Sequence, residues 1–378
     1  MRNLFPKTFL VTWIAVGALW ANTPHAQGVG FVQVNLVSDI PGLATVTDPK
    51  LVNPWGNSHS TTSPFWTSNQ GTNSATLYTV TDRTTVTKVN INPPAGFVQI
   101  PTFGTGPAQG PTGQVNNANT SATGCAVSGG VAFPVNNGGD GSFAHFIFAN
   151  LNGTISAWDT GTTAFIQVTT PGAVYTGLAI NGAQTRVYAA NDAGTNGSVD
   201  VFDCTFAPLN LGADAFVNPA LPAGLVPFNV QEIGGNVYVA YAPAGRPAQQ
   251  NAPLGAGAVA IFDEDGNFIT QLITGGRLAA PWGMTLAPAG FGRFINHLLV
   301  GNFSYLNSGI NAFDPTTGKF RGTIPITLGK GRTPGGLWFI GFGVGGSNGD
   351  PNTLYFSDGI NGENDGLFGA IFANGNGS

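Results

Sequence analysis

The stretch Pro281-Trp-Gly-Met-Thr-Leu-Ala287, followed by His297-Leu-Leu-Val-Gly-Asn302 and Gly309-Ile-Asn-Ala-Phe-Asp314, decides the fold. Turn sequences separate these apolar runs, and Lys319-Phe-Arg-Gly322 supplies a fourth run after the turn Pro315-Thr-Thr-Gly318. Short apolar runs bounded by turn residues are typical of β-strands. The segment therefore predicts a four-stranded unit of about 50 residues.

The same order of apolar runs recurs along the chain. It is clearest in the second run of each copy, which ends in a polar residue. The copies of this second run end at Asn69, Asn150, Asn191, Tyr241, Asn302 and Asp358. Six copies of a four-stranded unit predict an all-β fold, a six-bladed β-propeller. A β-sandwich is the alternative, but its strands do not repeat as a fixed set of four.

The two ends of the repeat region predict how the ring of blades closes. The last copy stops at its third run, Gly366-Leu-Phe-Gly-Ala-Ile371, and a spare alternating segment from Phe31 to Val37 precedes the first copy. Pairing these two segments completes the last blade and removes an exposed strand edge. We therefore expect Velcro closure by the N-terminal strand and one propeller domain over residues 27–378.

Composition excludes several classes of protein. Only 8% of residues are charged, the formal net charge is −5, and lysine and arginine do not cluster. Nucleic acid is therefore excluded as a partner, since binding its phosphates needs a basic surface. The chain has 56 glycines, but an aromatic content of 11% argues against disorder.

The first 26 residues have the pattern of a signal peptide. Arg2 and Lys7 form a basic region, an apolar run from Phe9 to Trp20 follows, and Ala26 is the expected last residue removed. The run is short for a membrane span, and no second stretch is long enough to be a transmembrane segment. The sequence predicts an exported protein, periplasmic or extracellular.

Three further features are left open by the sequence. Cys125 and Cys204 form either one disulfide, as exported proteins allow, or two separate buried thiols. Phe103 to Gly124 is predicted to be a long loop between the first two blades, and Pro243 to Gly255 an insertion inside the fourth. Both stretches are either ligand-contacting loops or plain insertions.

Two repeated positions are expected to meet at one face of the propeller. The inner strand of each blade lines the channel, so the residues that begin it share a face, here called the top face, with those that end the second strand. The inner-strand starts are Trp55, Thr176, Phe228, Trp282 and Trp338, with no clear residue for the second blade. Aromatic rings beside amides suit a small molecule or a glycan.

The sequence therefore predicts ligand contacts at the top-face channel mouth. The predicted ligand-binding residues are Trp55, Asn69, Asn150, Asn191, Phe228, Tyr241, Trp282, Asn302, Trp338 and Asp358. The alternative is structural: asparagine and aspartate at strand ends cap turns, and tryptophan beside glycine packs neighbouring blades together.

Catalytic chemistry is poorly supported by the sequence. A Gly-x-Ser-x-Gly match places Ser347 in a glycine-rich turn between two strands, without the helix that a nucleophile elbow needs. Asp48, Asp192 and Asp358 are the acidic residues expected near the top face, where calcium could bind them with amide oxygens. No catalytic residue and no metal ligand is assigned.

Several segments together resemble one known family. They are Val32-Gln-Val-Asn-Leu-Val-Ser-Asp-Ile-Pro-Gly-Leu-Ala44, Thr47-Asp-Pro-Lys-Leu-Val-Asn-Pro-Trp-Gly56, Pro281 to Gly292, Leu299-Val-Gly-Asn-Phe303 and Gly349 to Phe356. The chain resembles a family of exported bacterial proteins, many of which carry a PEP-CTERM sorting tail. The resemblance implies NHL-like blades and no established activity. This sequence ends at Asn374-Gly-Asn-Gly-Ser378 without such a tail, which puts surface anchoring in doubt.

These observations lead to two hypotheses of function. The first is a secreted, monomeric binding or scaffold module with its ligand at the top face. The alternative is a metal-assisted, lactonase-like hydrolase or lyase, for which a calcium ion near the axis would be required. The sequence reveals neither the ligand nor whether the protein is an enzyme.

Overall fold

The computed structural model describes residues 25–27, 30–102, 109–120, 125, 131–136, 142–195 and 197–374. Within these ranges, six β-sheets form the blades of a propeller, which confirms the predicted all-β fold. Neighbouring strands of a blade follow one another in the sequence and pair antiparallel, and the innermost strand of each blade comes first. This order places the six strand beginnings at one end of the axis.

The first three blades differ in the number of strands they contain. Blade 1 comprises Pro54–Ser58, Phe65–Asn69, Ser74–Val80 and Val86–Lys88, with Val98–Gln99 also pairing with its third strand. Blade 2 comprises Gln114–Asn116, Phe146–Ala149, Thr154–Trp158 and Phe165–Thr169. Blade 3 comprises Tyr175–Ile180, Arg186–Asn191 and Ser198–Asp203.

The last three blades each contain at least four strands. Blade 4 comprises Leu225–Ile233, Asn236–Pro243, Ala258–Phe262 and Phe268–Thr274. Blade 5 comprises Pro281–Leu286, Leu298–Asn302, Gly309–Phe313 and Phe320–Ile324. Blade 6 comprises Leu337–Phe342, Thr353–Asp358, Leu367–Ala373 and the N-terminal strand Phe31–Ser38. Short helical turns occur at Gln70–Thr72, Arg246–Gln250, Gly292–Phe294 and Ile360–Glu363, and no helix in the described ranges could cross a membrane.

The predicted closure of the ring is present. Phe31–Ser38 pairs antiparallel with Leu367–Ala373, from Phe31 opposite Ala373 to Ser38 opposite Leu367. The outer edge of Phe31–Ser38 pairs with His25–Gln27 and, in parallel, with Val46–Thr47. The predicted leader, apart from His25 and Ala26, lies outside the described residues.

Two expectations about individual blades were wrong. The stretch from Phe103 to Gly124, expected to be a loop, contains the inner strand of blade 2, Gln114–Asn116. Blade 3 has three strands within the described residues, and in place of a fourth, Pro208 forms an isolated bridge with Phe202. A glycine- and proline-rich stretch and a short bridge both lack the alternating pattern that predicts a strand.

The two cysteines are joined. A disulfide links Cys125, ahead of the second strand of blade 2, to Cys204, directly after the third strand of blade 3. Cys204 is buried in the same apolar cluster as Phe133 and Phe206. The disulfide therefore ties two neighbouring blades together.

Glycines in the inner strands allow adjacent blades to approach closely at the axis. A Cβ atom on Gly56 of blade 1 would lie 2.8 Å from the Thr112 carbonyl oxygen, and one on Gly113 would lie 2.3 Å from the Leu178 nitrogen. Such distances are too short for any side chain, so glycine is required at both positions. The inner strands of blades 1, 2 and 3 are consequently in direct backbone contact.

Candidate functional site

The aromatic residues predicted to surround the channel mouth lie together, but they are buried. Trp55 and Trp338 stack with ring centroids 3.5 Å apart, and Trp282 contacts both edge-on at 6.1 and 5.6 Å. Phe228 lies 6.0 Å from Trp338, and all four side chains are at most 4% exposed. They fill the top of the axis as an apolar cluster.

Two members of this layer were missed by sequence analysis. Thr112 is the inner-strand start of blade 2, and its hydroxyl donates to the Tyr175 carbonyl at 2.8 Å. The tripeptide Pro111-Thr112-Gly113 matches Pro54-Trp55-Gly56, and this match could have identified Thr112 from the sequence. Phe303, directly after the second strand of blade 5, stacks on Trp338 with centroids 4.3 Å apart.

The insertion in blade 4 covers this aromatic cluster with a cation. Arg246 begins the short helix Arg246–Gln250, and its guanidinium carbon lies 4.9 Å from the ring centroid of Trp55, 4.5 Å from that of Phe303 and 5.0 Å from that of Trp338. A cation over aromatic faces is attracted by their negative π surfaces. Burial lowers the pKa of Arg246, and the charge of Glu363 partly offsets that effect.

Glu363 of blade 6 is the counter-ion of Arg246 and the centre of a hydrogen-bond network. Its carboxylate forms an ion pair with Arg246 and accepts hydrogen bonds from the Tyr305 hydroxyl at 2.6 Å and from the Gln250 and Asn53 amides, each at 3.1 Å. The Glu363 side chain is 11% exposed. The network joins blades 1, 4, 5 and 6 across the top face.

The six predicted residues at the ends of the second strands do not share one role. Asn191 and Asn302 cap the turns that follow them: the Asn191 side-chain oxygen accepts from the Ala193 nitrogen at 3.2 Å, and the Asn302 amide donates to the Asn307 carbonyl at 3.2 Å. Each side-chain oxygen also accepts from a backbone nitrogen ahead of the inner strand of its own blade, Val174 for Asn191 and Ala279 for Asn302, both at 3.0 Å. This is the structural alternative stated above. Tyr241 is buried between blades 3 and 4, where burial raises its pKa.

Asn69 and Asn150 behave differently. Their amide nitrogens donate to hydroxyls of the next strand, Asn69 to Thr76 at 2.9 Å and Asn150 to Ser156 at 3.1 Å. Their side-chain oxygens are buried and have no hydrogen-bond partner among the described residues. These two oxygens are free acceptors.

Asp358 is a buried acid without hydrogen-bond partners in the described part of the chain. Its side chain is fully buried, and neither carboxyl oxygen is paired. Burial, with a smaller contribution from the charge of Glu363, raises the pKa of Asp358 to about 8. The carboxyl group is therefore mostly neutral at pH 7.

The three acidic residues considered for calcium are not brought together. Asp48 is buried, pairs with Lys88 at 2.8 Å and accepts a hydrogen bond from Tyr78 at 2.7 Å. Asp192 accepts from the Gln249 amide at 2.8 Å, whereas Asp358 lies in blade 6. Among the described residues, no three histidine, cysteine or acidic side chains form a group that could hold a metal ion.

A cavity of about 350 Å³ occupies the other end of the axis, where the inner strands end. All six blades contribute to its wall. The polar side chains that line it are Asn57, Ser58, His59, Gln114, Asn116, Gln184, Gln231, Glu232 and Thr285. None of the ten predicted ligand-binding residues lines this cavity, and their predicted ligand contacts remain a prediction.

The wall of the axial cavity is polar but carries little charge. Five of its side chains are amides. Burial lowers the pKa of His59, so the His59 imidazole is neutral at pH 7. Asn57 is 6% exposed, and neither atom of its amide has a hydrogen-bond partner among the described residues. Glu232 is the single carboxylate of the wall, and it accepts from the Gly235 nitrogen at 2.6 Å.

Comparisons with known proteins support the fold and leave the activity open. No protein-family model matches the chain. Two uncharacterized proteins of Acanthamoeba polyphaga mimivirus are similar: R648 is 26% identical over 89% of this chain and 78% of its own length, and L690 is 26% identical over 89% and 84%. A solved structure of a protein of unknown function from Bacteroides thetaiotaomicron is 11% identical, with a TM-score of 0.51, over 92% of this chain and 77% of the other. The chain is thus a β-propeller similar to uncharacterized proteins, and its place in the exported bacterial family remains a prediction.

Proposed function

We propose that this propeller is a binding module that takes a small, polar, mostly uncharged molecule, such as a sugar or another hydroxyl-rich compound, into the axial cavity. The observation that carries the proposal is the wall of that cavity, where the inner strands of blades 1, 2, 4 and 5 and the Gln184 side chain of blade 3 contribute amide and hydroxyl groups. Neutral donors and acceptors converging on one concave space are typical of small-molecule sites.

The unpaired amide of Asn57 supports the proposal. A buried amide without a partner costs folding about 1–3 kcal/mol, so its presence beside a cavity favours a ligand that satisfies it. The alternative location, the top face, is occupied by the aromatic cluster and by Arg246. We therefore expect a polar ligand at the strand ends and not at the strand beginnings.

The test is a screen of mono- and oligosaccharides and small polyols by thermal shift and calorimetry, followed by two variants. Gln231→Trp is expected to fill the cavity and weaken binding at least about tenfold, a loss of about 1.4 kcal/mol. Its control is Leu306→Trp, because Leu306 is 65% exposed and lies outside the cavity wall. Equal affinity of both variants for the ligand found would overturn the proposal.

Asn57→Leu separates binding from folding. Leucine has a similar size and no polar group to leave unpaired, so stability is expected to stay unchanged or rise while affinity falls. If Asn57→Leu loses stability and keeps its affinity, the amide has a structural role and the cavity assignment loses its main support.

We also propose that the protein is exported and that the leader is removed after Ala26. The basic and apolar regions of the leader support this, as does the disulfide between Cys125 and Cys204, since such bonds persist in oxidising compartments. Mass spectrometry of the protein from a periplasmic or culture fraction is expected to show a chain that begins at Gln27. An intact N-terminus in the cytoplasmic fraction alone would contradict export.

A further inference from the structure

The guanidinium of Arg246 occupies an aromatic cage that is built by other blades. Its guanidinium carbon lies 4.5–5.0 Å from the ring centroids of Trp55, Phe303 and Trp338, which belong to blades 1, 5 and 6. Three aromatic rings within 5.0 Å of one cation, with the carboxylate of Glu363 beside them, are features by which proteins recognise organic cations.

The backbone around Glu363 is strained. Asn361, Gly362 and Glu363 have φ angles of 56°, 68° and 69°, so two non-glycine residues adopt the left-handed conformation. This conformation costs such residues roughly 1–2 kcal/mol each. Strain of this kind clusters at functional sites, and here it lies directly beside the cage.

Arg246 is separable from the cage that it occupies. Its side chain remains one-third exposed, and the NH1 nitrogen has no hydrogen-bond partner among the described residues. The insertion that carries it is anchored farther along, where the Tyr305 nitrogen donates to the Gln250 carbonyl at 2.9 Å and the Ser304 hydroxyl to the Ala252 carbonyl at 2.7 Å. Departure of the Arg246 side chain from the cage would leave these two anchoring hydrogen bonds intact.

The cage is surrounded by more hydrogen-bond acceptors than the Arg246 side chain uses. One carboxyl oxygen of Asp192 and the side-chain oxygen of Gln249 are buried and unpaired within the described ranges, although the two side chains bond to each other through their other atoms. A ligand with several N–H donors would find acceptors here.

We propose that this cage is a binding site for an organic cation of the alkylguanidinium or methylated ammonium class, and that Arg246 occupies it in the resting protein as a built-in competitor. The site lies at the opposite end of the axis from the cavity proposed above and does not depend on it. A ligand displaces the Arg246 side chain, and its apparent affinity is reduced by the fraction of molecules in which the cage is already filled.

The test uses methylguanidinium and tetramethylammonium chlorides as probes, with sodium chloride at matched ionic strength as the blank. Arg246→Ala empties the cage, and both probes are expected to raise its melting temperature and quench its tryptophan fluorescence. Arg246→Met is the matched control, because its uncharged side chain still covers the three rings. A rise in Arg246→Ala that is absent in Arg246→Met supports the site.

The unmodified protein provides the decisive measurement. It is expected to bind the same probes about tenfold or more weakly than Arg246→Ala, which follows from competition by its own arginine. The probes could quench the tryptophan fluorescence of Arg246→Ala saturably and leave that of the unmodified protein unchanged. This result would show that Arg246 is a fixed part of the core, and it would overturn the proposal. Equal rises in melting temperature in Arg246→Ala and Arg246→Met would show that the probes act as salts and not through the cage, and would also overturn the proposal. If Arg246→Ala fails to fold, Arg246→Lys takes its place, since the smaller ammonium leaves part of the cage open.

Discussion

Trp55 in the first blade and Trp338 in the sixth stack with ring centroids 3.5 Å apart, so the first residues of the ring contact the last blade directly at the axis. Both side chains are fully buried, and the Trp338 indole donates to the Asn53 side-chain oxygen at 3.0 Å. The contact joins the two ends of the propeller at its centre, while the strand pairing of Phe31–Ser38 joins them at the rim.

Removing this contact is expected to destabilise the whole fold. Trp338→Ala should lower the free energy of unfolding by about 3–5 kcal/mol, because it leaves a large cavity and an unpaired Asn53 oxygen. Urea denaturation followed by circular dichroism measures this loss. Phe320→Ala, at a position that is 37% exposed, serves as the control and should cost much less. Similar losses in both variants would contradict a core role for Trp338.

The disulfide is expected to contribute measurably to stability. Cys125 and Cys204 are separated by 79 positions, and a cross-link over a loop of that size raises the free energy of the unfolded chain by about 4–5 kcal/mol at 25 °C, because it removes conformational entropy. Replacing both cysteines with serine should lower the denaturation midpoint, and a reducing agent should shift the unmodified protein the same way. A reducing agent that also shifts the serine variant would show that the effect is not due to this bond.

The buried carboxyl of Asp358 predicts a specific dependence of stability on pH. Its pKa is raised from 3.8 to about 8 in the folded protein, so the folded state holds a proton that the unfolded state releases. The Asp358 carboxyl therefore does not lower the free energy of unfolding below pH 4. It lowers this free energy increasingly as the pH rises from 4 to 8. The total effect is of the order of a few kcal/mol.

Asp358→Asn tests this dependence, because asparagine has nearly the same shape and cannot ionise. The variant should match the unmodified protein near pH 4 and become progressively more stable than it up to pH 8. Asp39 and Asp192, whose pKa values burial raises to about 6, are present in both proteins and cancel in the difference. Parallel stability curves across this range would show that Asp358 does not titrate as expected.

The closing strand is expected to be essential for cooperative unfolding. A chain that begins at Asp39 lacks Phe31–Ser38 and exposes the edge of Leu367–Ala373, together with the buried face that Leu36 and Val37 cover. It should unfold at lower denaturant concentration and with a broader transition than a chain that begins at Gly30. Identical transitions for the two chains would mean that the pairing contributes little.

Much of the fold could be predicted because each blade repeats the same pattern of apolar runs. The inner strand of blade 2 escaped prediction because Thr112 replaces the aromatic residue found at Trp55 and Trp282, and its surroundings are rich in glycine and proline. A fourth strand was expected in blade 3 because each repeat was assumed to be complete, whereas the described residues of this blade form three strands.

The candidate sites were less predictable, for a physical reason. The sequence identified Trp55 and Trp338 but not the cation above them, because Arg246 lies in an insertion without a counterpart in other blades. Its partner Glu363 is 117 positions away in sequence. The axial cavity is formed by strand ends whose residue types do not repeat, so it is a property of the closed ring and not of any one copy.

The pairing of Phe31–Ser38 with Leu367–Ala373 has a consequence for how the protein is made. Phe31–Ser38 is synthesised long before its partner Leu367–Ala373, so the sixth blade cannot assemble until that partner has been translated. The ring can close only after translation of the last strand, and until then the early blades present an open edge. Closure of the ring therefore competes with pairing of that edge with another copy.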